Sequence, residues 1–173
     1  MKSTYSRTLL LAAFALTSAG LLNAADTKSS LNASDEQFVK EAAQAGKSEV
    51  QIAELGVKKA ASDSVKTIAA EMVKEHTVLN GEIAALAKSK SVELTSANDP
   101  KTDETIAELE KASGKEFDKA FLKQLQKGHK SAVASYEAAI KDSKDAEVKT
   151  WATNTLPALK KHHGEINKAL KAE

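Results

Sequence analysis

The chain contains no cysteine, which removes disulfide frameworks, thiolate metal ligands and a lipid-acceptor residue at a processing site from consideration. It has no apolar run of the roughly 20 residues that a spanning helix needs, and no alternating strands of the barrel type. The sequence is short of aromatic side chains, with one Trp, two Tyr and four Phe. Neither sign of charge is in excess: 25 Lys and Arg face 24 Asp and Glu, interspersed along the chain, so no basic stripe is available to track a phosphate backbone. Nucleic acid is therefore not an expected partner, and integral membrane insertion is not expected either. A Gly-rich phosphate loop, a nucleophile elbow and a zincin helix motif are all missing, which leaves most enzyme classes without support.

What is present is Ala, Leu, Lys and Glu in abundance, residues that lose little rotamer freedom in a helix. Lys2 and Arg7 precede the apolar run Thr8 to Leu22, which closes on the small residues of Leu22-Asn23-Ala24-Ala25. This is the order of a secretory signal peptide, with cleavage expected after Ala24 or Ala25 and a periplasmic or secreted destination. Residues 1–25 are thus read as signal peptide, 26–33 as a polar linker and 34–173 as one domain with a single core.

Helix punctuation divides that domain into four long helices. Ser34-Asp35-Glu36-Gln37 reads as a capping box opening a helix to about Ala61, and Ser62-Asp63 breaks it before a second helix from about Ser64 to Ser89. Thr95 to Pro100 is a loop, and a short helix is expected over Thr102 to Lys111. Ser113-Gly114-Lys115-Glu116 is a second capping box, starting a helix to about Lys141, and Asp142-Ser143 introduces the last helix, which runs nearly to Leu170. The first and last connections are short, whereas the middle one is long enough to cross the bundle. That connectivity predicts an all-α, ferritin-like four-helix bundle, with an up-and-down bundle as the topological alternative.

Each long helix carries an apolar stripe at alternating spacings of four and three, and each stripe is interrupted near mid-helix by a residue able to bind metal. Glu49 interrupts Phe38, Ala42, Ala45, Ile52 and Gly56; His76 interrupts Val65, Ile68, Met72, Leu79, Ile83 and Leu86. His129 lies among Phe121, Leu125, Ala132, Tyr136 and Ala139, and His162 among Val148, Ala152, Thr155, Leu159, Ile166 and Ala169. Buried without partners, these groups would each cost several kcal/mol, which calls for a compensating metal ion or a hydrogen-bonded network. Glu75 points about 100° around its helix from His76 and reads as a solvated or supporting group. Glu165 is expected to pair with Lys161 or Lys168, His163 to be exposed, and Asp118 to serve the first turn of its helix. Pro157 is expected to bend the last helix.

Glu49-Val50, Met72-Val73-Lys74-Glu75-His76, Gly114-Lys115-Glu116-Phe117-Asp118 with His129, and Leu156-Pro157-Ala158-Leu159-Lys160-Lys161-His162 together resemble the bacterial domain-of-unknown-function family four-one-four-two. Its members are exported and often labelled outer membrane proteins. The resemblance spans about Asp35 to Leu170 and implies a ferritin-like fold but no established reaction. The Glu-x-x-His motif of ferritin-like di-iron sites is absent, since Val73 and Leu159 stand three residues before His76 and His162. One transition-metal ion, Zn, Cu or Fe, held by Glu49, His76, His129 and His162, is the expected cofactor. Metal handling or envelope stress is the expected role. A metal-free structural or interaction module and a metal-dependent redox enzyme are the alternatives.

Overall fold

The computed structural model describes residues 29–172. The expected signal peptide and the first three residues of the linker, 26–28, lie outside the described residues. Among the described residues five helices follow one another: α1 (Ala33–Lys59), α2 (Asp63–Ser89), α3 (Pro100–Glu110), α4 (Gly114–Asp142) and α5 (Ala146–Ala172). No described helix is long and apolar enough to cross a membrane.

The helix ends differ from the expected capping boxes in an instructive way. Asn32, not Ser34, caps α1: its side-chain oxygen accepts from the Ser34 and Asp35 amides at 2.9 and 3.0 Å. Ser113 does occupy the N-cap of α4, but its hydroxyl makes no cap bond, and Gly114 beside it takes a left-handed φ of 58°. Pro100 opens α3 at the first-turn position where its missing N–H costs nothing, and Asp99 caps it. Asp145 accepts from the Glu147 and Val148 amides and starts α5 there. The α5 helix continues through Pro157.

Inter-helix bonds set the direction of each element. Lys90 at the end of α2 pairs with Asp145 and Glu147 at the start of α5, and Ser30 ahead of α1 donates to the Lys90 carbonyl. Asp118 near the start of α4 meets the α1–α2 turn. α1 therefore runs antiparallel to both α2 and α4, and α2 and α4 point the same way. The chain must climb the bundle between them. It does so along α1: Lys47 donates to the Ala97 carbonyl, Thr102 bonds Ser48, and Lys59 donates to the Glu110 carbonyl. This is the ferritin-like crossover, and the loop-length argument is borne out.

Two helical hairpins are related by a pseudo-twofold. Asp118 Oδ1 and Oδ2 accept from the Ala61 and Ser62 amides at 2.9 and 2.8 Å, while Asp35 Oδ2 accepts from the Lys144 and Asp145 amides at 3.0 and 2.9 Å. The shift that carries Asp35 onto Asp118 also carries Ala61 onto Lys144, Ser62 onto Asp145, Phe38 onto Phe121 and Val65 onto Val148. Each hairpin thus holds the other's turn, satisfying two amides that a tight interhelical turn leaves without helical partners. Asp118 does more than complement a helix dipole.

The core falls into two clusters. One, nearer the α1–α2 turn, gathers Ile52, Met72, Phe117, Phe121, Leu125 and Ile166; the other, nearer the α4–α5 turn, gathers Phe38, Ile83, Tyr136, Val148 and Leu159. The four stripe interruptions lie between them. At the first cluster, Gly56 is required: a Cβ there would sit 2.3 Å from Phe121 Cζ and 2.9 Å from the Ala69 Cβ.

Candidate metal centre

Packing the four seams inward brings His76 of α2, His129 of α4 and His162 of α5 together in a layer between the two apolar clusters, with relative exposures of 4%, 1% and 0%. Their ring centroids form an equilateral triangle with 5.4 Å sides. His129 Nε2 stands 3.4 Å from His76 Nε2 and 3.4 Å from His162 Nδ1, and the three nitrogens lie within 4.8 Å of one another. Two nitrogens each about 2.1 Å from an ion at the tetrahedral angle lie about 3.4 Å apart, so the spacing fits one ion. The start of α5 at Ala146 sets His162 level with His129.

Outer partners orient two of the rings. His129 Nδ1 donates to the Leu125 carbonyl at 3.0 Å, one turn back along α4, which leaves the Nε2 lone pair facing the centre. His162 Nε2 is 2.7 Å from Glu75 Oε2, so its Nδ1 faces the centre. Burial pushes His76 down to about 3 and His129 down to about 4, with the neighbouring rings adding to the effect on His76. Glu75 is held below the usual carboxylate range, chiefly by its hydrogen bond with His162. Neutral imidazoles with lone pairs converging is the protonation state that a metal requires.

Glu49 is not one of the converging groups. Its Oε1 lies 3.9 Å from His129 Nδ1, the nitrogen turned away from the triangle, and its Oε2 is buried without a hydrogen-bond partner. Glycine at 128 makes room for it, because a Cβ there would fall 2.3 Å from Glu49 Oε1. Burial pushes the Glu49 carboxyl up to about 8. Glu75 instead is the carboxylate that touches the triad, reaching across from α2 to α5. Only its place next to His76 hinted at this in the sequence, because its partner is set by which helices adjoin. Glu165 pairs with Lys161 at 3.7 Å as expected, whereas His163, expected on the surface, is half-buried.

A cleft of about 360 Å³ leads to this layer between α1, α3 and α4, and His76, His129 and Glu49 line its inner wall. Two of the three histidines, His76 and His129, therefore face the cleft, while His162 lies behind them.

The similarity to solved structures is one of fold. A DUF305 fragment from Deinococcus radiodurans superposes with a TM-score of 0.74 at 14% identity, covering 83% of this chain and 99% of its own. A protein from Streptomyces coelicolor described as "putative secreted protein DUF305" gives 0.70 at 12% identity, covering 80% of this chain and 91% of its own. No curated protein matches the sequence. The family model described as "Domain of unknown function (DUF4142)" matches residues 21–169, nearly the whole described bundle, and the chain belongs to that family.

Proposed function

We propose that this protein is an exported metal-binding bundle that holds one transition-metal ion on His76 Nε2, His129 Nε2 and His162 Nδ1. The observation that carries the reading is the set of three buried imidazole nitrogens converging at metal-ligand spacing, two of them with their other nitrogen engaged outside. Three imidazoles suit Zn, Cu or Fe, and a three-histidine set leaves a fourth position for water, a substrate or an additional protein ligand. Glu49 is the candidate for that additional ligand only through a side-chain rotation toward the cleft. In the geometry described above it serves as a carboxylate beside His129. Glu75 and the Leu125 carbonyl fix the rings, in the way that outer partners of metal-bound histidines do.

One ion, not two, is expected from the pseudo-twofold. The same shift that relates the hairpins pairs His129 with Gly46, His76 with Leu159 and His162 with Leu79, none of which offers a donor. Ferritin-like di-iron sites draw matching ligands from both halves, so an asymmetric triad supports a mononuclear centre. Metal handling in the cell envelope is the role that this site and the signal-like N-terminal sequence support best.

A metal-free reading has one observation in its favour. With His162 Nε2 facing the Glu75 carboxylate at 2.7 Å and His76 Nε2 facing His129 Nε2 at 3.4 Å, hydrogen bonds would pair much of the layer without a metal ion. Elemental analysis of protein purified without an affinity tag separates the two. The metal reading expects one equivalent in the natural chain and none in His76→Ala or His129→Ala. Metal-free protein whose stability is unmoved by chelators or by added zinc and copper would sink it. Oxygen or peroxide consumption by the loaded protein then distinguishes a carrier from a redox enzyme.

A further inference from the structure

The four long helices stand at the corners of a square in the order α1, α2, α5, α4, because α1 packs on α2 and α4 while α5 packs on the same two. Three corners supply imidazoles to the polar layer. The fourth corner is α1, diagonal to α5, and the residue that it sets beside the layer is Glu49. The open side of the triangle thus faces Glu49, in keeping with a cleft that reaches His76 and His129 along α1 while His162 lies behind them.

Other approaches to the layer are covered. Along the bundle axis it is flanked by the two apolar clusters, where an unpaired charge is prohibitively costly. On the α2–α5 side the Glu75 carboxylate is pinned by His162 at 2.7 Å and by Lys161 at 3.3 Å. Glu49 is held by far less: its Oε1 is 3.9 Å from His129 Nδ1, beyond hydrogen-bond reach, and its Oε2 has no partner. It lies in the seam over Gly128, and Asn80, one turn after His76, lies in the same seam over Gly46. A Cβ would fall 2.3 Å from Glu49 Oε1 at the first glycine and 2.1 Å from Asn80 Oδ1 at the second. These two side chains separate the cleft from the triad. With 15% of the Glu49 side chain exposed against 1% of His129, the carboxyl covers the ring on the cleft side. Outside them the wall carries Thr105, Gln124, Ser131 and Ser135, polar groups that can hydrogen-bond the water around a cation.

An ion bound for a buried site trades its water for protein ligands, and a bare charge in the interior is the costly stage of that exchange. A carboxylate at the threshold offers negative charge and oxygen donors before the imidazoles are within reach. One without fixed partners is free to turn. We propose that Glu49 is the gate of the metal centre: its carboxyl lies over His129 at rest and turns to the cleft to relay a divalent cation into or out of the triad. This rests on the metal reading above and assigns Glu49 to the passage of the ion, not to its final ligand set.

A group used in passage but absent from the end state changes the barrier and not the equilibrium, so uptake and release shift together. Zinc is the probe. Uptake is timed in stopped flow by mixing the metal-free mature chain with zinc held on a chromophoric chelator, and release by mixing the loaded chain with excess chelator. Glu49→Gln should slow both rates about tenfold, with affinity within roughly threefold of the natural chain and one equivalent still bound. Glu49→Ala should slow them likewise; acceleration would mean that the side chain only obstructs the way, and overturns the relay. Ala132→Leu, which narrows the cleft, should also slow both rates, with Ser135→Leu at the mouth in its place if that variant does not fold. Natural rates in the folded variant overturn the cleft as the route. Glu75→Gln provides the contrast, losing affinity through faster release while uptake keeps its natural rate. One equivalent bound with both rates unchanged in Glu49→Gln overturns the gate and leaves the metal reading standing. Affinity lost through release alone in that variant does the same, because it marks a permanent fourth ligand. A natural chain that binds no zinc overturns both.

Discussion

Between pH 5 and 8 the metal-free protein should show a stability maximum near pH 6.5, set by opposing titrations in its core. His76 and His129 are lowered by burial to about 3 and about 4 from an unperturbed 6.5. A group depressed in the folded state contributes stability that is fully present above its unfolded value and is lost as pH falls toward the folded one, because the unfolded chain takes up the proton first. Glu49 is raised to about 8 from 4.5, which has the opposite sign: its contribution is present below 4.5 and is lost as pH rises through 8. Each proton difference is worth roughly 1.4 kcal/mol per pH unit. Around pH 5.5 two imidazole terms oppose one carboxyl term, so stability rises with pH; above 6.5 the carboxyl term alone remains and stability falls. Integrated over the two arms, the loss is roughly 2 kcal/mol from pH 6.5 to 4.5 and about 1 kcal/mol from 6.5 to 8.5. Glu49→Gln removes the opposing term. Its acid arm should steepen to roughly 4 kcal/mol over the same span, and its alkaline decline should vanish. Urea unfolding followed by far-UV circular dichroism in the presence of a chelator, at half-unit pH steps, measures both curves. An alkaline arm that survives in Glu49→Gln, or an acid arm no steeper than that of the natural chain, would refute this account of the buried groups.

The other predictions concern the frame that holds the triad. Glu75→Gln keeps the shape of the carboxylate that orients His162 but removes its charge, and should weaken metal binding about 10- to 100-fold in a competition titration while leaving the stoichiometry at one. Asp118→Ala strips the acceptor from two part-buried turn amides and should cost about 1 to 3 kcal/mol in denaturant melts, as should Asp35→Ala at the other end of the bundle. Because the two sites are far apart, the double variant should lose the sum to within about 0.5 kcal/mol. Gly56→Ala drives a methyl group into Phe121 and should cost about 1 to 3 kcal/mol, whereas Gly81→Ala, which meets nothing, should be neutral or mildly stabilising.

Which residues face inward was written in the sequence. Stripes at spacings of three and four identify His76, His129 and His162 as seam positions without any knowledge of the neighbours, because a helix places such residues on one face regardless of what covers it. The lengths of the connections favoured the crossover over an up-and-down bundle, since the long link between α2 and α4 is able to span the bundle while the links on either side are short. Helix direction, and with it the pairing of α2 with α5, was decided only by tertiary contacts such as Lys90 with Asp145 and Glu147. That pairing is what gives His162 the carboxylate of Glu75, a residue about 100° round its helix from the seam. Glu49 shows the converse: its position on the α1 stripe was legible, yet which edge of His129 it meets depends on the rotation and approach of α1 against α4, set by Gly128 and the small residues around it. Asp35 and Asp118 read as ordinary first-turn acids, because the turns they hold belong to the opposite hairpin and lie far away in sequence. Periodicity reports a residue's own helix, and only the packed bundle decides which atoms of different helices come within bonding distance.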